Sequence, residues 1–112
     1  MPTERYDLGV AKLDNKIYVT GGYNNDEQTL FRVDCYDPDT NTWSQMANMN
    51  IARFAQSLVS LHGRLYALGG AMGVDSVEVY DPDNNTWTLL QHKVDGRLLG
   101  TGAGLIKKYH VE

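Results

Sequence analysis

The sequence has little of what a disulfide framework, a metal site or a membrane span requires. Cys35 is the single cysteine and can form no internal disulfide, while His62, His92 and His110 lack the spacing of a zinc site. No apolar run approaches the roughly 18 residues of a transmembrane helix, and residues 1–5 lack the profile of a secretory signal. We therefore expect a cytoplasmic, intracellular protein with no metal and no other cofactor.

Charge of one sign is not concentrated anywhere in the chain either. Ten Lys and Arg residues are scattered among fourteen Asp and Glu residues, for a net charge of −4. Binding to nucleic acid or to an anionic membrane normally requires a basic patch. The composition therefore predicts that neither is a partner.

What the chain does have is one internal repeat. Residues 16–22 (KIYVTGG) correspond to residues 64–70 (RLYALGG), 48 positions later. Residues 35–43 (CYDPDTNTW) correspond to residues 79–87 (VYDPDNNTW), 44 positions later, which places a four-residue insertion in a loop within 23–31. A period of this length indicates a protein built from repeated supersecondary units.

Each copy predicts four short strands with no helix. The alternation of apolar and polar residues and the tight turn signals place the first strand at 8–13 and 55–61, the second at 17–21 and 65–69, and the third at 32–36 and 76–80. An Asp-Pro-Asp turn then precedes a fourth strand that carries Trp43 or Trp87. Cys35 occupies the position of Val79 and is expected to be a small buried core residue.

These features resemble the kelch repeat, the unit of an all-β propeller in which each repeat forms one four-stranded antiparallel blade. The signature residues are a glycine pair, a tyrosine and a tryptophan seven residues after that tyrosine: Gly21, Gly22, Tyr36 and Trp43, then Gly69, Gly70, Tyr80 and Trp87. The rings are expected to pack between sheets, and the glycines to permit positive φ or close backbone approach. The resemblance implies a propeller fragment with repeat 1 at about 5–50, repeat 2 at about 51–96 and a strand of a third or closing blade at about 97–109.

Two blades cannot close a ring, so the chain looks like part of a larger propeller. It is most similar to the C-terminal kelch portion of BTB-kelch proteins. Exposed blade faces would also permit self-association, and three copies would then form one six-bladed ring.

The resemblance implies a non-catalytic protein-interaction module. In BTB-kelch proteins this part recognises substrates for a cullin-RING ubiquitin ligase, which is reached only through a BTB region absent from this sequence. An alternative within the family is a cytoskeletal protein that binds actin. Some kelch-fold proteins are copper oxidases, but no histidine lies near Cys35 in the sequence to act as a copper ligand.

In similar proteins, protein or peptide substrates bind one rim of the propeller, at the loops between second and third strands and between blades. Carried onto this sequence, those loops include 23–30, 71–75, 48–54 and 91–98. The residues expected to contact a partner are Tyr23, Asn24, Asn25, Asp26, Arg53, Phe54, Met72 and Arg97.

Three arginines, Arg5, Arg53 and Arg97, occupy one repeat position, just before the first strand of each copy. Two interpretations stay open. The guanidinium groups either face the rim and hold acidic peptides, or they bond to backbone carbonyls between blades. The recurrence favours the structural role, because a ligand rarely needs the same residue on every blade.

Overall fold

The regular structure is all β, in a computed structural model that describes residues 5–26, 28–70 and 76–93, without the side chains of 91–93. The strands are β1 (Gly9–Leu13), β2 (Lys16–Thr20), β3 (Val33–Asp37), β4 (Thr42–Met46), β5 (Ser57–Leu61), β6 (Arg64–Leu68), β7 (Ser76–Asp81) and β8 (Thr86–Lys93). They form two four-stranded antiparallel sheets, β1-β2-β3-β4 and β5-β6-β7-β8. This confirms the predicted fold, while the closing strand at 97–109 lies outside the described residues.

Short hairpins follow from residues that accept positive φ. Asp14 and Asn15 join β1 to β2 with φ of 51° and 64°, and His62 and Gly63 join β5 to β6 with φ of 51° and 74°. Such paired left-handed conformations suit two-residue hairpin turns. The sheets therefore reverse direction with very little loop at this end.

The two Asp-Pro-Asp segments form matching turns between the third and fourth strands. The Asp37 carboxylate accepts a hydrogen bond from the Asp39 N–H at 3.0 Å, and Asp81 accepts one from the Asp83 N–H at the same distance. Hydrogen bonds of this kind define an Asx turn, which competes with continued strand pairing and so ends the third strand.

The first strand of each sheet begins later than the sequence predicts, at Gly9 instead of residue 8 and at Ser57 instead of residue 55. Just before each strand the backbone is left-handed, with φ of 52° at Asp7 and 56° at Ala55. These two residues hold equivalent repeat positions, and the Ala55 N–H donates to the Asp7 carbonyl at 2.7 Å. In the second sheet the predicted first residue, Ala55, therefore lies in the bend itself, and the strand begins after it.

The two sheets pack face to face around a shared hydrophobic core, and a second, smaller cluster lies within the second sheet around Tyr66, Leu68 and Val77. The first sheet contributes Ala11, Leu13, Tyr18, Val33, Cys35 and Met46, and the second contributes Leu58, Leu65, Ala67, Tyr80 and Trp87. The rings of Tyr18 and Tyr80 meet across the interface with centroids 5.7 Å apart. Because strand side chains alternate between faces, each sheet offers this core only one of its two faces.

The strand register separates the molecule into two ends. Gly9 pairs with Thr20 and Val33 pairs with Met46, so residues 5–8, the β2–β3 loop and the β4–β5 connection lie together at what we call the loop end. The hairpin and Asp-Pro-Asp turns lie at the opposite, turn end.

Over the described residues, no helix is long and apolar enough to cross a bilayer.

Candidate functional site

A glycine pair brings three chain segments together at the loop end. Gly21 and Gly22 have φ of 62° and 90°, and the Gly22 N–H donates to the Arg53 carbonyl at 2.7 Å. A Cβ on Gly22 would lie 2.6 Å from the Tyr6 carbonyl oxygen, and one on Gly21 would overlap the Arg53 carbonyl. Only glycine permits this approach, which sets the segments before β1, after β2 and before β5 side by side. Gly69 and Gly70 also have positive φ, at 64° and 143°.

Arg53 lies inside the protein, not on the loop-end surface. Its side chain is fully buried and donates to the carbonyls of Gly69 at 2.9 Å and Ser76 at 2.7 Å, to the Ser76 hydroxyl at 2.9 Å and to Glu78 at 3.1 Å. Burial lowers the pKa of Arg53, and the nearby Glu78 carboxylate opposes that shift. The guanidinium is thus committed to internal contacts.

Arg5 repeats this arrangement in the first sheet. It is buried, donates to the carbonyls of Gly21 at 3.3 Å and Arg32 at 3.1 Å, and pairs with Asp34 at 2.6 Å. Burial lowers its pKa as well. The geometry of both arginines fits the structural interpretation over the peptide-holding one, while Arg97 and Met72 lie outside the described residues.

Three aromatic rings form a continuous row across the loop-end surface, which we call the ring row: Tyr6, Tyr23 and Phe54. The Tyr23 ring lies between the other two, with centroids 5.5 Å from Tyr6 and 5.3 Å from Phe54, the latter in an edge-on contact at 75°. Tyr6 is 45% exposed, and Tyr23 and Phe54 are half-buried. The row therefore spans the boundary between the two repeats and presents ring surface to solvent.

Tyr23 and Phe54 are among the contacts expected from the sequence, and Tyr6 is not. The repeat contains the pattern that could have identified Tyr6. Tyr6 and Phe54 each directly follow the recurring buried arginine and lie 48 positions apart. Tyr6 is further fixed by two backbone hydrogen bonds with Tyr23, at 2.9 and 3.0 Å. An aromatic residue at this position thus reaches the loop-end surface from both repeats.

The loop after Tyr23 is held in shape by its own asparagines. Asn24 is half-buried, and its side-chain oxygen accepts hydrogen bonds from the N–H groups of Asp26 at 3.0 Å and Gln28 at 3.1 Å. These bonds fix the shape of the turn. Asn25 is exposed and accepts a hydrogen bond from the Tyr6 hydroxyl at 2.9 Å. Asn25 and the exposed Asp26 therefore extend the ring row with polar groups.

Two clefts lie away from the ring row. One, of about 610 Å³, borders the outer side of the same loop, where Phe31 is 49% exposed beside Gln45 and Asn48. The other, of about 420 Å³, lies between the sheets at the turn end and reaches Cys35 and Tyr80. The described residues contain no group of three or more His, Cys, Asp or Glu able to hold a metal ion.

Comparison with known proteins agrees with this architecture. The family model for the kelch motif matches residues 4–50 and 52–92. Human Kelch-like protein 28 is 42% identical over 76 residues, which cover 62% of this chain and 13% of that protein. The mouse influenza virus NS1A-binding protein homolog is 41% identical over 73 residues, covering 65% of this chain and 11% of that protein.

A third relative, human Kelch repeat and BTB domain-containing protein 13, is 38% identical over 73 residues, covering 62% of this chain and 16% of that protein. The chain thus spans only about a tenth to a sixth of the length of these relatives. Similarity of this kind supports a protein-interaction module. With two matched motifs, two four-stranded sheets and the repeated glycine, tyrosine and tryptophan signature, the chain belongs to the kelch-motif family.

Proposed function

We propose that this chain is a non-catalytic protein-binding module whose partner docks on the loop end, at the ring row with Asn25 and Asp26. The observation that carries the proposal is the row itself, in which a loop tyrosine lies between aromatic residues of two consecutive repeats. A surface that spans two repeats belongs to the assembled module and to neither repeat alone. The buried arginines are not part of this surface.

The physical properties of the row suit partner recognition. Tyrosine and phenylalanine offer large apolar faces that lose little side-chain entropy when a partner binds, and tyrosine adds a hydroxyl. Tyr6 and Tyr23 are joined by a pair of backbone hydrogen bonds, and Asn25 holds the Tyr6 hydroxyl. A binding surface that is already ordered loses less entropy on association.

Other features support a non-catalytic role. Burial raises the pKa of the Cys35 thiol, which keeps it protonated, whereas a nucleophilic cysteine requires a lowered pKa. Cys35 is 6% exposed in the sheet interface. Its place in the core is that of a small apolar residue, and a solvent-accessible reactive thiol would need different surroundings.

For the parent protein, we propose the substrate-recognition role of a cytoplasmic BTB-kelch adaptor that serves a cullin-RING ubiquitin ligase. The support is similarity to a protein whose name joins kelch repeats to a BTB domain, Kelch repeat and BTB domain-containing protein 13. The outer face of the first sheet, with half-buried Tyr36 and Trp43, would pack against another sheet of a larger propeller or against a second copy.

Affinity capture with variant chains tests the docking surface. The double variant Tyr6→Ala/Asn25→Ala removes an exposed ring and the amide bonded to it, and Thr40→Ala at the turn end is the control. We expect partners that wild type and the control retain to fall at least fivefold with the double variant, by quantitative mass spectrometry. Circular dichroism of each variant checks that the sheets persist.

Equal capture by all three chains would refute the loop-end surface. If the protein lost on mutation of the ring row were actin, the cytoskeletal role would replace the adaptor role. Loss with Thr40→Ala alone would move the binding surface to the turn end.

A further inference from the structure

We propose that the partner segment docked on the ring row is basic, with an arginine or lysine side chain that lies over the rings between the carboxylates of Asp7 and Asp26. This inference rests on the proposed function and specifies the chemistry of the partner. Both carboxylates belong to exposed residues of the loop end.

Asp7 and Asp26 border the row at two different segments of the chain, the one before β1 and the β2–β3 loop. Asp7 directly follows Tyr6, and its carbonyl accepts the Ala55 N–H at 2.7 Å, so Asp7 lies beside the segment that carries Phe54. Asp26 follows Asn25, whose side-chain oxygen accepts a hydrogen bond from the Tyr6 hydroxyl. Two exposed acidic residues therefore lie next to the ring row, one in each of these segments.

Among the side chains that the structure describes, the arginines of the loop end are buried or paired with a carboxylate. Arg5 and Arg53 are buried, and Arg32 makes three hydrogen bonds to the Asp34 carboxylate between 2.9 and 3.2 Å. Of the cations whose side chains the structure describes, the exposed ones lie on the turn-end half of their strands: Lys12, Lys16 and Arg64. Over the described side chains, the unpaired charge next to the rings is thus that of acidic residues.

Aromatic faces and carboxylates together favour one class of side chain. A guanidinium or ammonium group is attracted to the negative face of a ring, and a flanking carboxylate adds a charge-assisted hydrogen bond. An acidic segment would be repelled by both features, and a neutral one would gain from neither. The net charge of −4 would also speed the approach of a basic partner.

A matched pair of peptides tests the charge requirement. The probes are two seven-residue glycine-serine peptides, one with a central arginine and one with citrulline, which has nearly the same shape without the charge. Binding to the full chain is followed by NMR shifts of the Tyr6, Tyr23 and Phe54 ring protons. We expect about three- to tenfold tighter binding of the arginine peptide, and an advantage that shrinks as salt is raised.

A charge-neutralising variant tests the two carboxylates. Asp7→Asn/Asp26→Asn keeps the size of both side chains, and asparagine accepts the left-handed conformation at Asp7. We expect this variant to lose most of the preference for arginine over citrulline. Asp39→Asn, the same change at an exposed turn-end position, should keep it.

The outcomes separate this inference from the proposed function. Equal binding of the two peptides, no binding of either, or an unchanged preference in the double variant would each overturn the basic partner. None of these results bears on whether the Tyr6→Ala/Asn25→Ala variant loses captured proteins, which decides the docking surface by itself. Loss of the preference with Asp39→Asn as well would also overturn the assignment to Asp7 and Asp26.

Discussion

The two sheets contain the same aromatic pair in different surroundings. Tyr36 and Trp43 have centroids 5.0 Å apart at 46°, and Tyr80 and Trp87 have centroids 5.0 Å apart at 40°. Tyr80 and Trp87 are only 1% and 9% exposed, whereas Tyr36 and Trp43 are half-buried. The pair is therefore made within a sheet by strand pairing, and its burial depends on a neighbouring sheet.

The buried arginine–carboxylate ion pairs also have different surroundings in the two sheets. Glu78 is held by Arg53 and by the N–H groups of Asn50 at 2.6 Å and Ile51 at 3.0 Å, which belong to the connection from the first sheet. Asp34 is instead held by two guanidinium groups, those of Arg5 and Arg32. The second sheet thus uses its ion pair to fix the inter-sheet connection, and the first sheet shares its ion pair with a loop residue.

The largest expected effect comes from breaking the Arg53–Glu78 pair. Arg53→Met removes the guanidinium partner of a fully buried carboxylate, together with bonds to two carbonyls. We expect a loss of about 3–5 kcal/mol in the free energy of unfolding, measured by urea titration. The first sheet should respond less to Arg5→Met, because Asp34 retains its contact with Arg32.

The difference between the losses of unfolding free energy in Arg53→Met and Arg5→Met tests the comparison more directly than either loss alone. If Arg5→Met lowers stability as much as Arg53→Met, the second guanidinium at Asp34 contributes nothing. Glu78→Gln is a further control for the same ion pair. The amide keeps the shape of the Glu78 side chain and leaves the Arg53 guanidinium without its negatively charged partner.

The next largest difference in stability is expected between alanine variants of the two tryptophans. Trp87 is buried, and its indole N–H donates to the Ala47 carbonyl of the neighbouring connection at 3.0 Å. Trp87→Ala should cost about 3 kcal/mol, and Trp43→Ala about 1 kcal/mol, because part of the Trp43 ring is already in contact with water.

Each of these variants leaves a single tryptophan, so fluorescence checks the two environments directly. The chain with only Trp87 should emit at shorter wavelength and resist iodide quenching better than the chain with only Trp43. Equal emission and quenching would mean that the Trp43 face is covered as well, for example by a second copy of the chain.

Sequence reasoning recovered the features that depend on local periodicity. The repeated Tyr-to-Trp spacing, the glycine pairs and the turn residues suffice for the two four-stranded sheets, because strands and hairpins are specified locally. The ring row was only partly predicted, since Tyr6, Tyr23 and Phe54 come from three segments that meet only where Gly22 permits close approach.

The position of Arg53 depends on the fold as well. Its repeat position left open whether it faced a ligand or the interior, and the answer requires Glu78 on β7 and the carbonyl of Gly69 to be in place. A buried charge is identified by its partners, and these lie far from it in the sequence.

The smallest expected effect concerns Cys35, which stands in the first sheet where Val79 stands in the second. Burial raises the pKa of the Cys35 thiol from its ordinary value of 9.0. As pH rises through about that value, the unfolded chain releases this proton while the folded chain keeps it. The free energy of unfolding should therefore fall with rising pH, by at most about 1.4 kcal/mol per pH unit for one proton.

Cys35→Val makes the two sheets alike at this position and removes that contribution. We expect similar stability near pH 7, because valine occupies the equivalent position of the second sheet, and a shallower decline than wild type above about pH 9 in urea titrations. Burial also raises the pKa of Tyr80, which both chains contain, so some alkaline decline should remain in the variant. Identical slopes in the two chains would show that the thiol ionises as readily in the folded core as in the unfolded chain, and that the sheet interface at Cys35 admits water.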